Sequence, residues 1–377
     1  MTVLLLLAGF VTLIVGGEVL VRGAKGLGVL VRISPIVIGM TVVAFATSAP
    51  ELAVTISAQL AGSPGLVIGN VVGSNVANVL LVLGATALIL PITVSSVLVK
   101  REIPLLVLAG VLLLVLSLDG DLTRIDGAIL FLGLVAFVTF SVISARRSPE
   151  SQASQSDPPE DTPEGRVHPR SRSKALILDL LALVAGIGLL VVGARWLVDA
   201  ATEIAIAVGL SDLVIGLTIV AIGTSLPELA TSVIAALRGE RELAIGNIVG
   251  SNLFNIGAVL GIAGLIGAEP IAVLPGAITF DLPIMVLVSL ALLPVAFTGF
   301  RISRREGVLF LAYYAAYIAY LLLDAANHDA LPALSTVLLA FAFPITGLTF
   351  ALLVGHQIRT RRKDREQRRT ADTADTA

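Results

Sequence analysis

From Ile33 to Val99 the chain carries a single charged residue, Glu51. A run this apolar cannot keep a water-facing surface wet, so lipid is its solvent. In lipid every backbone N–H and C=O must be satisfied within the segment, which leaves helices or closed barrels as spanning structures. Each helical crossing needs about 20 predominantly apolar residues. The whole 377-residue chain has the same texture, with 56% hydrophobic and 14% charged residues, against about 25% charged in soluble domains. Eleven segments qualify, at 2–22, 36–60, 65–90, 103–118, 126–145, 174–197, 212–237, 243–267, 281–299, 307–323 and 331–355. The expectation is an all-α polytopic membrane protein. The first apolar run has no basic segment before it, and Glu18 and Gly23 continue a helix where a cleavage site would fall, so it reads as a retained span and not a signal peptide.

Polar punctuation divides the chain. Residues 1–145 hold the first five spans, and 146–173 form a linker rich in Pro, Ser and acid that cannot bury a core. Residues 174–323 hold the next five spans, 324–358 an additional span, and 359–377 a basic and polar tail. Of the 25 Lys and Arg, 23 fall in alternate connections, the linker and the tail; only Arg124 and Arg195 fall on the opposite side. The positive-inside rule then puts the N-terminus outside and the linker and C-terminus in the cytoplasm, with the protein in the cell membrane.

Residues 39–84 and 216–261 align without a gap at an offset of 177, with 25 identities in 46 positions. Five spans separate the start of one copy from the start of the next, and five is odd, so the second copy lies upside down. The expected architecture is an inverted five-plus-five repeat with one additional C-terminal span. Repeats of this kind mark secondary transporters, whose substrate site lies near the bilayer midplane between the halves.

Glu51 and its repeat mate Glu228 each sit alone in mid-span; Glu228 is the only charge from Leu213 to Leu237. A carboxylate there costs at least ~2.5 kcal/mol on insertion scales and faces a cavity or a partner. Two such groups meeting at the midplane repel unless a cation lies between them or one is protonated. The bland alternative for either is a satisfied helix–helix hydrogen bond. Before each glutamate stands Thr-Ser-x-Pro: Thr47, Ser48, Pro50 and Thr224, Ser225, Pro227. Proline cannot donate to the carbonyl one turn back, which frees a carbonyl near Ala46 or Thr47 and near Gly223 or Thr224. The next span of each half carries GN(V/I)VGSN. Its glycines at four-residue spacing allow close helix approach. Ser74 with Asn78, and Ser251 with Asn255, share one face at i and i+4 and offer oxygen ligands. Asn70, Asn75, Asn247 and Asn252 point elsewhere and read as caps or cross-links between helices, with ligation as the alternative.

The doubled motif closely resembles the two α-repeats of the Ca²⁺/cation antiporter superfamily, the sodium/calcium exchangers and their prokaryotic relatives. The resemblance covers both repeats and the ten-span frame. It implies a central diamond of ion sites lined by Thr47, Ser48, Glu51, Ser74 and Asn78 from the first half and Thr224, Ser225, Glu228, Ser251 and Asn255 from the second. It also implies that spans 1 and 6 slide to switch access. Two departures stand out. Some sodium-coupled members have Asp where this chain has Asn255, and the span at 331–355 is outside the common frame. The linker is too short for the large Ca²⁺-sensing domains of animal exchangers.

The function expected is exchange of Ca²⁺ for Na⁺, with Ca²⁺/H⁺ antiport and K⁺-dependent exchange as alternatives and a cation channel as the reading from another class. Enzymatic activity is not expected, because no nucleophile–His pair, HExxH or phosphate-binding loop is present. No cofactor is called for. With no Cys there is no thiolate or disulfide chemistry, and His168, His328 and His356 fall in or next to polar connections. The partners expected are inorganic cations and the lipid bilayer, with no nucleic acid and no obligate protein partner.

Overall fold

The computed structural model describes residues 2–146, 172–208, 219, 221–297, 299–326, 328 and 330–338, with isolated positions beyond. The bulk of the linker, the start of the expected seventh span, most of the expected span at 331–355 and the basic tail lie outside the described residues.

In chain order the helices are α1 (Thr2–Val31), α2 (Pro35–Thr47), α3 (Ala49–Leu60), α4 (Pro64–Ile89), α5 (Ile103–Leu116), α6 (Arg124–Arg146), α7 (Arg172–Ala207), α8 (Ala221–Thr224), α9 (Leu226–Leu237), α10 (Arg241–Ile266), α11 (Ala277–Phe297), α12 (Arg304–Ala325) and α13 (Leu331–Val337). Among the described residues seven are long and apolar enough to cross a bilayer, or eight if α2 and α3, bent by 44° at Ser48, make one span. The remaining expected spans are incomplete for separate reasons. A π turn, Leu98–Glu102, precedes α5 and leaves its α-helical part only 14 residues long. The segments before α8 and after α13 fall outside the described residues.

Helices α1 and α7 run further than their apolar runs, to 30 and 36 residues. Arg22 and Lys25, or Asp199 and Glu203, end a hydrophobic stretch without ending a helix, because their exposed side chains reach beyond the apolar layer. The two helices lie against each other antiparallel. Gly9 meets Gly193, Gly16 meets Gly186 and Leu190, and Gly23 meets Asp179 and Ala182. The approach is backbone to backbone: a Cβ on Gly16 would sit 2.8 Å from the Leu190 nitrogen, and one on Gly193 2.8 Å from the Leu13 nitrogen. Gly84 of α4 faces Gly307 of α12, and Gly127 of α6 faces Gly261 of α10, in two further close crossings.

Four two-residue strands tie the connections together. β1 (Ile92–Thr93) pairs antiparallel with β4 (Arg301–Ile302), and β2 (Asp121–Leu122) pairs antiparallel with β3 (Ile271–Ala272). The larger apolar core is built from α4, α5, α10 and α11 with parts of α2, α6 and α12; a smaller one joins α1 and α7 to α9 and the start of α10. Outward faces are also apolar, as at Leu4, Leu7, Phe10 and Val11 of α1 and Leu178, Leu181 and Val184 of α7. A helix apolar on both faces is one that meets lipid on the outer one.

Candidate functional site

The helix breaks at Ser48 (φ −80°, ψ 1°) and at Ser225 (φ −89°, ψ 2°), between α2 and α3 and between α8 and α9. Pro50 and Pro227 fall in the first turn after each break, where a missing N–H is tolerated, and neither can donate to the carbonyl four residues back. The two breaks match in detail. Leu52 N–H donates to the Ser48 carbonyl and Leu229 N–H to the Ser225 carbonyl, each at 3.0 Å. Each break places a glutamate in the first turn of a new helix, Glu51 in α3 and Glu228 in α9. The partial positive charge of a helix N-terminus favours an anion there.

Glu51 and Glu228 are both fully buried and close enough for their charges to repel. The hydroxyls of Thr47 and Ser251 stand beside the Glu228 carboxylate, outside hydrogen-bonding geometry. Of the other residues expected in the site, Thr47, Ser48, Ser74, Asn78, Ser225, Ser251 and Asn255 are buried and Thr224 is half-buried. The Thr47 hydroxyl donates to Asn247 Oδ1 at 3.1 Å and lies 3.2 Å from the Ser251 hydroxyl, so the first half's Thr-Ser segment touches the second half's GSN helix directly.

Buried polar atoms without a hydrogen-bonding partner among the described residues concentrate here. They include both carboxylate oxygens of Glu51 and of Glu228, the hydroxyls of Ser48 and Ser225, Asn78 Oδ1, and both amide atoms of Asn255. An unpaired buried carboxylate costs several kcal/mol, so these groups are arranged for something other than each other. Among the described residues no group of three or more His, Asp or Glu converges. The donor set is therefore two carboxylates with hydroxyl and amide oxygens, the oxygen-rich shell that hard cations such as Ca²⁺ take and softer metals do not.

The other four asparagines hold the helices in place. Asn70 Nδ2 donates to the Glu51 backbone carbonyl at 3.1 Å and to the Thr55 hydroxyl at 2.8 Å. At the matching place Asn247 Nδ2 donates to the Ser232 hydroxyl at 3.0 Å. Asn75 and Asn252 clasp α4 to α10 reciprocally: Asn75 Nδ2 donates to the Asn252 carbonyl at 3.4 Å and Asn252 Nδ2 to the Asn75 carbonyl at 3.3 Å. Thr55 and Ser232, absent from the expected site, are signalled in the sequence only by the repeat keeping a hydroxyl at both positions. Gly246 and Gly250 seat on Ile36, Met40 and Ala44. A feature the sequence did not announce is a π turn starting at each GSN-helix asparagine, Asn78–Leu83 in α4 and Asn255–Leu260 in α10. Such turns recur at functional sites.

Known proteins resemble this chain over most of its length. The family model described as sodium/calcium exchanger protein matches residues 1–143 and 178–323, leaving out the linker. The chain is 40% identical over 318 residues to a provisionally named antiporter, CaxA, of Alkalimonas amylolytica, covering 82% of this chain and 95% of the relative. It is 34% identical over 343 residues to the sodium/calcium exchanger MaX1 of Methanosarcina acetivorans, covering 84% and 97%. The solved structure of the sodium-calcium exchanger NCX_Mj superposes with a TM-score of 0.70 at 33% identity, covering 85% of this chain and 98% of that one.

Proposed function

Since this chain belongs to the sodium/calcium exchanger family, we propose that it exchanges Ca²⁺ for Na⁺ by alternating access at a midplane site centred on Glu51 and Glu228. The observation that carries the reading is the pair of buried carboxylates, matched by the repeat and with no hydrogen-bonding partner among the described residues. One Ca²⁺ balances their combined charge; Na⁺ ions, or protons on the two glutamates, replace it. An empty, doubly charged site is costly to occlude, which favours exchange over leak. Thr47, Ser48, Ser74 and Asn78, with Thr224, Ser225, Ser251 and Asn255, complete the oxygen shell.

Alternating access needs two equivalent halves facing opposite ways. The strand pairing supports that arrangement. β1 follows the third span of the first half, yet its partner β4 follows the fourth span of the second half; β3 and β2 repeat the exchange. Two connections that hydrogen-bond lie on one side of the membrane, which favours inverted halves. The antiparallel contact of α1 and α7, the first span of each half, agrees. In this reading the N-terminus is outside and the linker and tail are in the cytoplasm of a cell-membrane protein, the orientation that the bias of Lys and Arg favours. α1 and α7, locked together by their glycines, move as one unit across the rest.

Asn255 is the observation that favours a second reading, Ca²⁺/H⁺ exchange. It supplies a neutral amide where a third carboxylate would help to bind several Na⁺ together. Reconstituted vesicles decide between the two: Na⁺-loaded vesicles should take up Ca²⁺ with no pH gradient, and a response to a pH gradient alone selects the proton. Glu51→Gln and Glu228→Gln should each abolish Ca²⁺ flux. Native flux in both would sink the proposed site whichever ion drives it.

A further inference from the structure

The amide groups of the GSN helices carry more information than their positions. A backbone carbonyl can only accept, so the Asn75 carbonyl fixes which end of the Asn252 side chain faces it: the Nδ2, at 3.3 Å. The Asn252 Oδ1 must then face the other way, and there it accepts from Asn78 Nδ2 at 3.0 Å. That bond in turn commits the Asn78 nitrogen, leaving Asn78 Oδ1 buried with no protein partner. The chain of polarity runs from a carbonyl of α4, through a side chain of α10, and back to α4.

The repeat mates do not reproduce it. Asn75 stands where Asn252 does, but its Nδ2 is shared between the Asn252 carbonyl and the sulfur of Met285 at 3.4 Å, and its Oδ1 has no partner. Asn255, the mate of Asn78, has neither amide atom bonded. When the π turn Leu98–Glu102 is laid on its counterpart Ala277–Asp281, Leu106 takes the place of Met285 and offers no acceptor. One amide is therefore locked as an acceptor, and its repeat mate has no such lock among the described residues.

We propose that Asn252 is a positioning residue for the exchange site, holding the Asn78 amide with its oxygen, not its nitrogen, turned to the transported cation. This rests on Asn78 being a ligand. Asn252 itself touches no cation. Its effect is to remove the orientation in which Asn78 would present N–H donors to Ca²⁺ or Na⁺. Outer partners that orient metal ligands typically matter by 10- to 100-fold in affinity.

The test is a double-mutant cycle on purified, detergent-solubilised protein, reading Ca²⁺ affinity from the Ca²⁺ dependence of the melting temperature. Asn252→Ala should weaken Ca²⁺ binding about tenfold. In the Asn78→Asp background the same change should have less than about a twofold effect, since both oxygens of a carboxylate accept and need no orienting. Equal losses in the two backgrounds would reduce Asn252 to a structural clasp and overturn the proposal. Asn78→Ala separates the two levels: native Ca²⁺ affinity in that variant removes the ligand reading itself. If Asn252→Ala gives no cooperative melt, Asn252→Leu enters the same cycle with the same two outcomes.

Discussion

Three buried glutamates in this chain show two ways of carrying a carboxylate out of water. Glu102 is fully buried, but the Arg101 guanidinium holds one of its oxygens. That guanidinium also donates to the Ser144 hydroxyl at 2.8 Å and lies 4.9 Å from the centre of the Phe140 ring. Glu51 and Glu228 have no such counterpart among the described residues. The contrast makes a stability prediction. Arg101→Ala strands a buried charge and should cost about 3–5 kcal/mol, read as a lower melting temperature in detergent, whereas Arg101→Ala with Glu102→Leu should recover most of it. Both variants that fold should bind Ca²⁺ with native affinity, since neither touches the exchange site. A double variant as unstable as the single one would show that the pair does more than neutralise itself. In the sequence, Glu51 and Glu228 are isolated charges in apolar runs, whereas Glu102 directly follows Lys100 and Arg101. Amide polarity is another matter. The spacing of Asn75, Asn78 and Asn252 puts them on helices, but which end of each amide faces the site depends on contacts 174 and 177 residues apart along the chain.

At the scale of elements, the proline after each Thr-Ser pair announces the break in the helix, and four-residue glycine spacing announces close packing. The π turns at Asn78–Leu83 and Asn255–Leu260 had no such signal, because an extra residue in a helical turn changes neither composition nor apolar period enough to be read. Nor did the apolar runs give the lengths of α1 and α7. Their contact is nonetheless where a sequence change has the clearest consequence. Gly16 has no room for a side chain, whereas Gly188, on the exposed face of α7, has no atom within 4 Å of where a Cβ would sit. Gly16→Val should separate the two helices, lower the melting temperature by several degrees and reduce Ca²⁺ flux at least tenfold. Gly188→Val, with the same change in helix propensity, should leave flux within about twofold of native. Equal effects of the two substitutions would mean that propensity, not packing, is what the glycines serve, and that the α1–α7 pair does not move as a unit.

For the whole molecule, the sidedness of the connections is the property on which the proposed exchange depends, and two kinds of observation bear on it. One is the segregation of Lys and Arg, with 23 of 25 on one side. The other is the pairing of β1 with β4 and of β2 with β3, in strands of two residues each, too short to be visible in the sequence. On the proposed inverted arrangement, the connections at 91–95 and 299–303 lie on the side of the linker, and those at 118–123 and 267–272 on the opposite side. The chain has no cysteine, so single cysteines report position without a background to remove. Ser96→Cys and Arg301→Cys, both at exposed positions, should react with a membrane-impermeant maleimide only after the cytoplasmic face is opened. Asp121→Cys and Glu269→Cys, also exposed, should react in intact cells. Labelling of Ser96→Cys and Glu269→Cys, which follow the third span of each half, from the same side would break the inverted arrangement. The two glutamates could then no longer be presented to opposite faces by equivalent movements of equivalent halves.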